Sequence, residues 1–129
     1  MNKFIVDASA WIEYFRGSEY GAKLNDILED QTTNIYTCAI TVAEIVSKTA
    51  RDGRDVEAAY DMLLSNSQII KLDEQISKQA GFFHFKMRQT SKDFGIADAF
   101  ILAAANKLEA KILTGDPHFK GLKNAIMIK

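Results

Sequence analysis

Four acids stand at positions where a chain built only to fold gains little from them: Asp7, Glu44, Asp98 and Asp116. Asp98 is the plainest case. From Phe94 to Asn106 it is the only residue that can ionise. On a helical wheel it lies near Ala105 and stacks toward Ile101 and Leu102, at the margin of the apolar face, where a charge is costly unless paired or metal-bound. Carboxylates with no Cys or His among them suit a hard cation, Mg²⁺ or Mn²⁺, because Zn²⁺ prefers nitrogen and sulfur. Cations held this way activate water and offset charge on phosphate oxygens, so the chemistry in view is phosphoryl chemistry.

The acids are scattered along the chain, so the elements must gather them. "KFIVDA" (residues 3–8) reads as a strand closed by Asp7, and Trp11, Ile12 and Phe15 form one stripe of the helix after it. Tyr20, Leu24, Ile27 and Leu28 predict a second helix. Residues 34–40 predict a second strand, followed by a helix that holds Glu44 in its first turn and ends at Gly53. Val56, Ala59, Tyr60 and Leu63 mark a helix, residues 68–72 a third strand, and Ile76, Ala80, Phe83 and Met87 the inner side of a long helix. After the Asp98 helix come strands at residues 110–116, closed by Asp116, and 125–129. Strands separated by helices pair in parallel through right-handed crossovers. The expected fold class is therefore α/β, a three-layer α/β/α sandwich around a mostly parallel sheet of four to five strands. Ligands in such folds bind outside the carboxyl ends of the strands. A crossover helix runs antiparallel to the strand it feeds, so the start of the Asp98 helix reaches that same rim. Two carboxylates held at ~5 Å repel by roughly 3 kcal/mol at an effective dielectric of ~20, so the gathered set calls for a cation.

Each acid also has a purely structural reading. Asp7 could form an Asx turn before a Ser9 helix cap. Glu44 could close a capping box with Thr41, as a solvated residue. Asp116 before Pro117 fits a cap followed by a first-turn proline, and Asp98 could simply complement a helix dipole.

Composition bounds the rest. At 129 residues, 47% hydrophobic and 26% charged, the chain reads as one ordinary domain over residues 1–129. The lone Cys38, set in an apolar strand, excludes an internal disulfide and points to a reducing cytoplasm. No stretch has the roughly 18 apolar residues of a membrane span, and the N-terminus lacks the pattern of a secretory signal. A net charge of −1 gives no bulk attraction to nucleic acid. Local basic clusters, with Arg88 and Lys92 foremost because they precede the Asp98 helix, could instead track phosphates.

"IVDASAWIEYF", "TVAEIV", "IADAFILAAA" and "ILTGDPHF", in this order, resemble the PIN-domain family, and within it the VapC-type toxins of type II toxin–antitoxin pairs. The resemblance covers residues 3–121. It implies an endoribonuclease dependent on Mg²⁺ or Mn²⁺ that cuts single-stranded or loop RNA, a homodimer, and a cognate antitoxin that occludes the acidic pocket. Asp7, Glu44, Asp98 and Asp116 match the family's acidic positions, and Ser9 and Thr114 its small hydroxyl residues near the metal. Where many relatives carry a further acid this chain has Pro117 and His118, so four acids remain to hold one ion. His118 reads as a surface turn residue. Phe82 and Phe85 fall off the inner stripe of their helix and read as a dimer or antitoxin contact.

Two other functions fit parts of this pattern. A receiver-like signalling domain would bind Mg²⁺ and accept phosphate on Asp73 after the third strand. A housekeeping RNA-processing nuclease of the same fold would carry the same acids.

Overall fold

The computed structural model describes residues 2–129. Five strands, β1 (Asn2–Val6), β2 (Thr33–Cys38), β3 (Gln68–Ile70), β4 (Lys111–Thr114) and β5 (Ala125–Met127), form one sheet in the order β3-β2-β1-β4-β5, with every pairing parallel. The helices are α1 (Ala8–Arg16), α2 (Ala22–Glu29), α3 (Ala39–Arg51), α4 (Val56–Asn66), α5 (Glu74–Met87) and α6 (Ile96–Leu108), with a short 3-10 turn at Pro117–Phe119.

Consecutive strand residues point to opposite faces, and that alternation sorts the core. Val6 and Leu113 pack with Trp11, Leu24, Ile45 and Leu63 beneath α1 to α4. Ile5 and Ile112 pack on the other face with Ile101, Ala104, Ala105 and Phe119. The small residues Ala99 and Ala103 of α6 then let α5 stack outside it through Ile76 and Ala80, with Phe94 closing that layer. The expected three-layer α/β/α arrangement is what folds. No helix among the described residues is long and apolar enough to cross a membrane.

The strand order places the site. From β1 the chain winds outward to β2 and β3, then returns to β4 on the other side of β1. The direction therefore reverses between β1 and β4, and such a switch point opens a crevice at the carboxyl ends of its strands. The order also removes the receiver reading, whose folds run 2-1-3-4-5. Asp73 lies beyond the end of β3, at the N-cap of α5, where it accepts the Ile76 N–H at 2.8 Å and pairs with Lys107 at 3.1 Å.

Several element ends differ from expectation. The second strand stops at Cys38 and α3 begins at Ala39, so Thr41 is no cap and Glu44 sits in the second turn. Thr41 is buried, with its hydroxyl unpaired among the described residues. Apolar residues continue from strand into helix there, leaving the hydrophobic pattern without a boundary to mark. The strands expected over residues 3–8, 68–72 and 110–116 likewise stop short, at Val6, Ile70 and Thr114, because the residues beyond belong to turns and caps. Tyr20 precedes α2 instead of opening it, and its ring lies beneath the Lys129 ammonium.

Candidate active site

Asp7 leaves β1 as the N-cap of α1, only 6% exposed. Its side chain makes no cap bond to that helix. Instead its Oδ2 accepts from the hydroxyls of Thr114 (2.9 Å) and Ser9 (3.1 Å). Ser9 is thus no helix cap. It lies in the first turn of α1, accepts the Gly115 N–H at 2.9 Å and lies 3.2 Å from Thr114 Oγ1. Thr114, fully buried at the end of β4, also accepts the Asp116 N–H at 2.9 Å. Two hydroxyls therefore tie the end of β1 to the end of β4 and orient both acids.

Burial pushes the Asp7 carboxyl above its ordinary range; the two hydroxyl donors oppose the rise and the charge of Asp116 adds to it. Thr114→Val would strip a partner from both Asp7 and the Asp116 N–H. It is expected to cost about 1–3 kcal/mol, read as a lowered thermal midpoint, with Thr114→Ser restoring most of it. An unchanged midpoint in the valine variant would show the bridge to be idle.

Asp98 occupies the first turn of α6, as expected, and its side chain is 15% exposed. Its Oδ2 accepts the Gly95 N–H at 2.9 Å, so the carboxylate does secure the helix start. The same oxygen faces His118 Nδ1 at 3.0 Å. Asp116 caps the 3-10 turn by accepting the His118 N–H at 2.9 Å, and its Oδ1 lies 3.5 Å from His118 Nδ1. Buried Phe94 and Phe119 meet edge to face, centroids 6.0 Å apart, and lock the approach to α6 onto the turn that carries His118.

Sequence reasoning missed His118. It is no free surface residue: its ring stands between Asp98 and Asp116, and donor atoms of the three lie within 4.8 Å of one another. The hydrogen bond to Asp98 raises its pKa most; Asp116 and Asp93 contribute by charge. The signal available was "DPH": an Asp cap with Pro next turns the backbone sharply enough to return the third side chain toward the cap.

Glu44 projects from α3 with solvent access, yet its carboxyl is pushed up to about 7, by burial first and then by the charges of Asp7, Asp98 and Asp116. Cys38, at the head of the same helix, is pushed up to about 11 by burial, with smaller pushes from Glu44 and Asp7. The helix α3 packs against α1 and α6, whose starts carry Asp7 and Asp98. The structure thus brings all four acids to one rim. Among the described residues no Lys or Arg is ion-paired with any of them. Clustered carboxylates with no Lys or Arg to neutralise them have the donor chemistry of a divalent-cation site, and they fit one. Arg88 and Lys92 are exposed, in the segment between α5 and α6, and neither is bonded to the acids.

The PIN domain family model matches residues 4–124. The chain belongs to the PIN domain family. Ribonuclease VapC11 of Mycobacterium tuberculosis and VapC ribonuclease Mb1587 of Mycobacterium bovis are each 27% identical over 119 residues, spanning 89% of this chain and 87% of theirs. Among solved structures, a toxin-antitoxin complex from Klebsiella pneumoniae superposes with a TM-score of 0.73 at 21% identity over 97% of both chains. VapBC2 from Rickettsia felis, bound to a DNA fragment from its promoter, gives 0.75 at 18% identity over 97% of this chain and 96% of that one. At those identities the structural likeness speaks for the fold.

Proposed function

We propose that this protein is an endoribonuclease dependent on Mg²⁺ or Mn²⁺, acting on single-stranded or loop RNA, and that it is the toxin of a toxin–antitoxin pair. The observation that carries the reading is that Asp98 and Asp116 lie together with Asp7 and Glu44 within electrostatic reach, and no Lys or Arg is paired with any of the four among the described residues. The names of the relatives, VapC ribonucleases, support the activity, and the solved toxin-antitoxin complexes support a protein partner.

In this reading Asp7, Asp98 and Asp116 hold the cation. When bound, it neutralises charge on phosphate oxygens and lowers the pKa of water. Ser9 and Thr114 keep Asp7 aimed by donating to its Oδ2. Glu44, exposed at the mouth, orients the attacking water and takes up its proton. Water oxygen bonds to phosphorus as the bond to the 3′ oxygen breaks and that oxygen takes a proton from solvent, leaving a 5′-phosphate and a 3′-hydroxyl. Arg88 and Lys92 supply phosphate contacts along the strand. The test is labelled single-stranded RNA incubated with Mn²⁺ and with EDTA. Fragments with 5′-phosphate ends in the first sample alone are expected, and intact RNA in both would end this reading.

The homodimer belongs to the same reading. Phe82 and Phe85 are 57% and 64% exposed on the outer side of α5, and the Lys86 ammonium lies 5.3 Å from the Phe82 ring centre. Two large exposed rings on one helix suit a buried contact with a second copy. Replacing both with Ser is expected to halve the mass seen by light scattering without changing the circular dichroism. A dimer that survives would remove these rings from the interface.

A further inference from the structure

We propose that His118 is a direct ligand of the divalent cation and gives this site a preference for Mn²⁺ over Mg²⁺, an inference that rests on the metal-dependent nuclease reading. Adjacent corners of an octahedron with bonds of about 2.1 Å are about 3.0 Å apart. His118 Nδ1 lies 3.0 Å from Asp98 Oδ2 and 3.5 Å from Asp116 Oδ1, close to that spacing. The three donor atoms lie within 4.8 Å of one another, so a cation that displaces the proton shared by His118 Nδ1 and Asp98 Oδ2 meets two oxygens and a nitrogen.

The ring is also held for the task. The His118 backbone N–H is fixed by Asp116, and Phe119, the next residue, is buried against Phe94. Coordination therefore asks for little further ordering of the side chain. An imidazole nitrogen adds little for Mg²⁺, which takes oxygen, whereas first-row transition ions accept mixed oxygen and nitrogen sets. The competing role for His118 is a tether, in which the ring only holds Asp98 by a hydrogen bond and never meets the ion.

Pulsed electron paramagnetic resonance of Mn²⁺ bound to the wild-type protein, with calorimetric affinities for Mn²⁺ and Mg²⁺, separates the two. The expected spectrum carries ¹⁴N modulation that disappears in His118→Asn and persists in His84→Asn, a change at the chain's other histidine. Affinity for Mn²⁺ is expected to fall roughly tenfold in His118→Asn while that for Mg²⁺ barely moves. Bound Mn²⁺ without histidine modulation, or equal losses for both ions, overturns the ligand assignment and leaves the nuclease reading in place. Failure of the wild-type protein to bind Mn²⁺ at all removes both.

Discussion

Asp98→Asn is expected to slow RNA cleavage on the order of 10³-fold while the protein stays folded. The asparagine oxygen can still accept the Gly95 N–H that starts α6. The packing of Ile101, Ala104 and Ala105 against the sheet is untouched. What disappears is the charge, and with it part of the cation's hold and the anionic partner of His118. Asp73→Asn is the matched control, because Asp73 also caps a helix but pairs with Lys107 away from the other acids. Cleavage rates on labelled RNA, with thermal midpoints beside them, decide the matter. A variant cutting within threefold of wild type would remove Asp98 from the chemistry.

Freed of divalent ions, the protein is expected to become less stable as pH rises from about 5 to 8. Glu44 is pushed up to about 7 and Asp7 is raised. For both, the folded state holds a proton that the unfolded chain has released, so stability is lost as pH climbs through the raised values. His118 is raised too. Its protonated form stabilises the fold at low pH, and that contribution also fades as pH rises through its folded-state pKa. All three groups act in one direction. Water screens part of the Glu44 penalty because that side chain is exposed. A cation at 100 times its dissociation constant adds about 2.7 kcal/mol, roughly 10 °C for a chain of this size. Melting curves in EDTA and in Mn²⁺ across this range are expected to converge at low pH and separate at high pH. Curves that stay parallel, or a midpoint unmoved by Mn²⁺, would mean the acids are not each other's burden.

Asp7, Asp98 and Asp116 were legible in the sequence because each lies next to a strongly patterned element, and a parallel sheet sends strand ends and returning helix starts to one rim. Glu44 was expected at the rim because its helix starts where β2 ends, but one turn too early, and its rival structural reading fails. Its capping box with Thr41 vanished because α3 starts at Ala39, under an apolar run that carries no boundary signal. Local rules read Ser9 as a cap and only the family resemblance set it near the acids; its hydroxyl reaches Asp7 and also Gly115, a contact between residues 106 apart that local rules cannot see. His118 was missed for a related reason. Its ring direction is set by a 3-10 turn and by Phe119 packing on Phe94, and only tertiary structure supplies that packing. Local chemistry names the acids; the winding of the sheet decides which side chains join them.

The most direct measurement is a crystal structure of the protein soaked in Mn²⁺, with data collected at an energy where manganese scatters anomalously. A single strong anomalous peak within bonding distance of Asp98 and Asp116, facing Asp7, is the expected result. A well-ordered crystal in millimolar Mn²⁺ whose map shows no peak among these carboxylates would contradict the cation-held crevice on which the proposed nuclease depends.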